Sequence, residues 1–159
     1  MRLVIADSGP INYLVLIGEV HQLPRLFERM ILPSAVHFEL SNKDAPLEVQ
    51  AWIENPPAWL KIVDAPLVGN VPGIHRGEAS AIALATSMRA DLLLMDDRKG
   101  VRHAREQGLR VTGTLGVLDL AASRGFLDFQ RALTALESTN FRMPLGLMAM
   151  LRDKHQERG

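Results

Sequence analysis

Asp7, Glu39, Glu78 and the doublet Asp96 and Asp97 are the side chains in this sequence best placed to do chemistry. Asp7 directly follows the short apolar run "LVIA", and the doublet follows "LLLM". Carboxylates gathered without matching cations repel one another, and oxygen-rich sites of that kind suit Mg²⁺ or Mn²⁺. Each acid also has a plainer role open to it. Asp7 and Asp97 can cap the helices expected near Pro10 and from Arg98, and Glu78 can answer the positive end of its own helix dipole. Glu39, inside "VHFELS", puts a charge among apolar neighbours. One cation site accounts for all of these positions together, whereas capping has to account for each separately.

Positive charge flanks two of the acids. Arg98, Lys99, Arg102, His103 and Arg105 crowd the segment after the doublet, and His75 and Arg76 precede Glu78. They are candidate phosphate contacts, or else an ordinary solvated helix face. His21, His37 and His155 show no metal-ligand spacing and read as surface or packing residues. Aromatic residues make up 5% of the chain and are not interleaved with basic ones, so Phe38, Trp52 and Trp59 read as core or interface rather than base-stacking platforms.

The elements that must position these acids alternate. "LVIA", "MIL", "WLKIVDA", "LLLM" and "LRVTG" read as strands, with "WLKIVDA" near a sheet edge. Helices are expected over "INYLVLIG", about residues 21 to 29 with a bend at Pro24, "AVHFELS" opened by Pro33 and Ser34, and residues 47 to 55 with Val49, Trp52 and Ile53 on one face. "HRGEASAIALATSMR", "RKGVRHAREQG" closed by Gly108, "TLGVLDLAASRG", "LDFQRALTALEST" and "PLGLMAMLRDKHQ" continue the helical series. This alternation predicts an α/β domain, a three-layer α/β/α sandwich with a mainly parallel central sheet. In such sheets, function concentrates beyond the carboxyl ends of the strands, where Asp7, Asp96 and Asp97 fall.

A chain of 159 residues, 47% of them hydrophobic, suits a single domain over 1–159, with residues from about 145 as a peripheral helix whose charged tail frays. Eighteen basic residues balance eighteen acidic ones, so any nucleic acid has to be held by a local patch. The absence of cysteine excludes a disulfide scaffold and thiolate chemistry. The N-terminus reads as too short in apolar residues for a signal peptide, and no apolar run reaches the ~18 residues of a membrane span. The expectation is a soluble cytoplasmic protein.

With "VIADSGPINYL", "LPSAVHFEL", "HRGEASAIALA", "LLLMDDRKG" and "GLRVTGTLGVLDLAASRGFL" in this order, the chain resembles the PIN-domain nucleases across nearly its whole length. It is most similar to small prokaryotic PIN-like proteins that act as toxins of toxin–antitoxin pairs. The resemblance implies a Mg²⁺- or Mn²⁺-dependent endoribonuclease. On that reading Asp7, Glu39, Glu78 and Asp97 are catalytic, and Asp7, Glu78, Asp96 and Asp97 are metal-binding. Ser8, Asn12, Thr112 and Thr114 supply supporting hydrogen bonds, and Arg76, Arg98, Lys99 and Arg102 hold RNA. It further implies an antitoxin partner, with the apolar face of residues 47 to 55 and the early helices as docking surface. A homodimer is expected through "PLGLMAML".

The chain departs from the family pattern in "VTGTLG", which carries no acid where a last, variable one usually stands. That departure keeps a second reading open, a weak or inactive PIN-like module that binds RNA or protein. A receiver domain that takes up phosphate on an aspartate would need a lysine after a late strand, and "LRVTG" offers none.

Overall fold

Five short apolar runs pair as one wholly parallel sheet in the computed structural model, which describes residues 2–158 and their side chains through residue 156. The strands are β1 (Leu3–Ala6), β2 (Arg29–Pro33), β3 (Leu60–Val63), β4 (Leu92–Leu94) and β5 (Val111–Thr112), in the order β3-β2-β1-β4-β5. Parallel neighbours cannot be joined by a hairpin, so helices make the crossovers. Between β1 and β2 run α1 (Ser8–Leu16), one 3-10 turn (Val20–Gln22) and α2 (Leu23–Leu26). Helices α3 (Ser34–Leu40) and α4 (Leu47–Glu54) lead to β3, α5 (Arg76–Ser87) to β4, and α6 (Arg98–Glu106) to β5. The chain then closes with α7 (Thr114–Ser123), α8 (Phe129–Glu137) and α9 (Leu145–Arg158).

Side chains alternate across a strand, which gives the sheet two cores. Val4 and Ala6 of β1 join Leu32, Leu94 and the apolar faces of α1 to α4 and α7 to α9 on one side. Ile5 joins Ile31, Leu93, Met95, α5 and α6 on the other. The alanine-rich sequence of α5 explains its place: Ala81 and Ala85 are fully buried, and their small side chains let the helix lie close to the sheet. The layers are therefore the α/β/α sandwich expected from the alternation.

The strand order creates the crevice. From β1 the chain builds outward to β2 and β3, then returns to the opposite side of β1 to place β4. Crossovers on either side of this point diverge and leave the carboxyl ends of β1 and β4 open. Asp7 follows β1 and the doublet follows β4, so both lie at this switch point. The Asp7 backbone N–H donates to Leu94 O at 2.9 Å, tying the two strand ends together.

Three expectations are corrected. The helix over residues 21 to 29 ends at Leu26: Phe27 turns extended, with its ring buried, and Arg29 already pairs with Leu3 in β2. The apolar face of α4 is no docking surface, because Val49 and Ile53 are fully buried in the first core. The charged tail does not fray as far as His155. Lys154 Nζ and His155 Nε2 each lie 2.8 Å from Asp119 Oδ1 of α7, and the His155 ring stacks on Phe129 at 4.5 Å. Trp52 and Trp59 do pack together, half-buried, with centroids 6.0 Å apart. Among the described residues, no helix is long and apolar enough to cross a membrane.

Candidate functional site

Asp7 is the N-cap residue of α1, yet its side chain makes no capping hydrogen bond. It is 4% exposed, and Oδ1 is buried without a hydrogen-bond partner. Burial pushes its carboxyl up to about 7; the Ser8 backbone N–H opposes the shift, and the charges of Glu78 and Glu39 add to it. A buried, unpartnered carboxylate oxygen costs on the order of 1–3 kcal/mol or more. Nothing in the fold of α1 requires that cost.

Glu78 carries a second such oxygen. In the first turn of α5 it forms a reciprocal capping box with His75: the Glu78 N–H donates to His75 Nδ1 at 3.5 Å, and the His75 N–H donates to Glu78 Oε1 at 3.4 Å. The role of answering the helix start is thus filled by one oxygen. The other, Oε2, is buried and has no hydrogen-bond partner. The residue is 6% exposed, and burial followed by the nearby Asp97 carboxylate raises its pKa to about 7. Gly100 of α6 permits this placement, since a Cβ there would stand 2.5 Å from Glu78 Oε2.

Glu39, half-buried on α3, completes the corner from the opposite side. Its carboxylate lies against the α5 backbone at Gly77, where any side chain would collide with it. The His75 ring lies between the two acids, with Nδ1 3.7 Å from Glu39 Oε1 and 3.6 Å from Glu78 Oε1. His75, expected as a phosphate contact, also caps α5; the three-residue step from His75 to Glu78 is the spacing of a capping box and marks the pairing.

The doublet divides. Asp97 is exposed, caps α6 by accepting from the Gly100 N–H at 3.0 Å, and is held below the usual carboxylate range first by that bond. It faces Glu78. Asp96 turns the other way, accepting from the Thr114 N–H at 2.7 Å and the Thr114 hydroxyl at 2.6 Å. Burial raises its pKa, and these two bonds oppose the rise. It lines a cleft of about 570 Å³ with Arg98, Arg102 and Arg105, which share one face of α6 at helical spacing. Lys99 lies elsewhere, beside the turn at Gly73, where a Cβ would meet its Cδ at 3.5 Å.

The four residues expected to give supporting hydrogen bonds differ in what they do. Thr114 bonds Asp96 as above, and Ser8 acts through its backbone N–H on Asp7. The carbonyl of Thr112 accepts from Met95 N–H at 3.0 Å, and its methyl packs on Gly116 of α7. Asn12 makes no side-chain hydrogen bond among the described residues. Phe38, read from the sequence as core or interface, is 73% exposed.

Asp7, Glu39, Glu78 and Asp97 therefore share one corner at the switch point, with the exposed His75 ring between the two glutamates. A family model described as a PIN domain matches residues 3–157. The chain belongs to the PIN-domain family. PIN domains are generally nucleases, act on nucleic acids and generally use divalent metal ions. Comparison with curated proteins found no match.

The residues present in this PIN domain fit such an ion by their chemistry. They offer hard carboxylate oxygens, and Asp7 Oδ1 and Glu78 Oε2 are buried with nothing donating to them. The side chains stand short of a closed ligand set: among the described residues, no three Asp, Glu or His groups are gathered tightly enough to hold a metal ion as they lie.

Proposed function

We propose that this PIN domain is a Mg²⁺- or Mn²⁺-dependent endoribonuclease. The observation that carries the reading is the pair of buried, unpartnered oxygens on Asp7 and Glu78 at the strand-order switch point. Asp7 and Glu78 would hold the ion, with Asp97 across from Glu78 and Glu39 across from Asp7. Asp96, already bonded twice to Thr114, stands behind them and orders the start of α7. When bound, a divalent ion supplies charge neutralisation at the phosphate and acidifies water.

The protein's own groups do the rest. Glu39, the more solvent-accessible of the two glutamates, accepts a proton from the attacking water. The new O–P bond forms as the P–O3′ bond breaks, and the leaving oxygen takes up a proton. The products are a 3′-hydroxyl and a 5′-phosphate. Arg98 and Arg102 on α6, Lys99 beside the Gly73 turn and Arg76 at the start of α5 attract the RNA backbone to a rim that offsets the acidic corner.

The proposal extends to a cytoplasmic toxin neutralised by a protein antitoxin, as the resemblance to toxin PIN proteins implies. Exposed Leu145, Leu147 and Met150 on α9 support a homodimer. The alternative, an inactive module that binds RNA or protein, draws on the absence of an acid in "VTGTLG". One assay separates them. Purified protein incubated with single-stranded RNA and Mn²⁺ should cleave, and should stop cleaving with EDTA or as Asp7→Asn. Equal cleavage in all conditions rejects the metal-dependent reading, and RNA binding with no cleavage supports the inactive module.

A further inference from the structure

A second groove opens from the acidic corner between α3, α5 and the loop of residues 64–75. It has a volume of about 780 Å³ and is lined by Phe38, Glu39, Leu67, Val68, Asn70 and Arg76, among others. Val36 and Leu40 are the buried positions of α3, and Phe38 lies about 200° around the helix from Val36, so the helix turns its ring out of the core. Across the groove Leu67 is fully exposed and Val68 is partly so. Glu39 belongs to both places: its carboxylate faces His75 and Gly77, and its neighbour Phe38 faces the groove.

We propose that this groove is a nucleobase subsite, in which Phe38 stacks a base of single-stranded RNA next to the bond positioned at the acidic corner and Arg76 meets the adjoining phosphate. The inference rests on the ribonuclease reading and adds a base contact at Phe38 beside the carboxylates. An exposed aromatic face beside a cation is the pair of features that single-stranded nucleic acid uses: the base stacks and the phosphate is neutralised. A duplex keeps its bases paired and cannot place one on Phe38. An apolar peptide would use Leu67 and Val68 but would have to bury Arg76 and Glu39 without partners, which a charged backbone avoids at Arg76.

The test is equilibrium binding of the full chain to a 2-aminopurine-labelled single-stranded RNA and to the matching duplex, with Ca²⁺ in place of Mg²⁺. Phe38→Ala should weaken single-strand binding about ten- to hundredfold, with loss of the stacking quench, while Phe38→Trp restores both and duplex binding is unchanged. Because Phe38 is exposed, the thermal midpoints of both variants should match the parent. Single-strand binding that is indifferent to Phe38, in a protein that still cleaves RNA, overturns the subsite alone and leaves the groove to a protein partner. A parent protein that neither binds nor cleaves RNA overturns the ribonuclease reading with it.

Discussion

Two clusters of charge in this molecule use the same ingredients to opposite effect. Beneath α9, Asp119 is matched by Lys154 and His155 at 2.8 Å each. Burial alone would raise its pKa, yet these partners outweigh it and hold the carboxyl low. At the switch point, Asp7 and Glu78 are more deeply buried and have for neighbours mainly other acids, and both are pushed up to about 7. A cluster that only holds the fold together is internally compensated. One left uncompensated implies a component from outside, a proton or a cation.

Cleavage gives the largest expected contrast. Glu78→Gln should lower RNA cleavage by about a thousandfold or more, whereas Asp119→Asn, remote from the corner, should stay within about twofold when both are assayed at a temperature where they are folded. Comparable losses in both would erase the distinction.

The next contrast is in the sign of the pH dependence. Asp7 and Glu78 release protons near 4 in the unfolded chain and near 7 in the folded one, so between these values the folded state binds more protons. Without divalent ions, stability should fall as pH rises through that window, by up to roughly 3–4 kcal/mol for each of the two groups, and level off above about 7. Asp119 acts oppositely: its contribution is present above the unfolded carboxylate pKa and is lost as pH falls through its lower folded value. Urea melts from pH 3 to 9 would resolve both limbs. Asp7→Asn should roughly halve the fall between 4 and 7, leaving the share of Glu78, and keep the acid limb in place. Mn²⁺ at about a hundredfold its dissociation constant should return about 2.7 kcal/mol at pH 8.

Two smaller effects sharpen the comparison. Asp119→Ala strands His155 and half-exposed Lys154 and should cost about 2 kcal/mol in the same melts, with no gain from Mn²⁺ beyond that of the parent. Thr114→Val removes the hydroxyl that bonds Asp96 at 2.6 Å but keeps the backbone N–H at 2.7 Å. It should cost about 1 kcal/mol, read as a shift in the urea midpoint.

Much of the fold was legible because its signals are local. Apolar runs of strand length, Gly108 after α6, Pro33 before α3 and the alanines of α5 each act within a few residues, and their alternation leaves few arrangements besides a parallel sheet covered on both faces. Where local signals misled, a contact distant in sequence had won. Pairing of Arg29 with Leu3 shortened α2, and Asp119 captured the end of α9. Val49 and Ile53 went to the core of the same chain rather than to a partner.

By itself the sequence determined which residues could do chemistry and that Asp7 and the doublet follow strands, since strand ends are written in local apolar pattern. Only the tertiary structure decided how the acids sort. It sent Asp96 to Thr114 and Asp97 toward Glu78, made His75 a bridge between two glutamates, and left Phe38 facing solvent at the edge of the corner. The reason is physical. Adjacent residues at the end of a strand point to opposite sides, and which side holds a carboxylate and which holds a hydroxyl is fixed by helices that arrive from elsewhere in the chain.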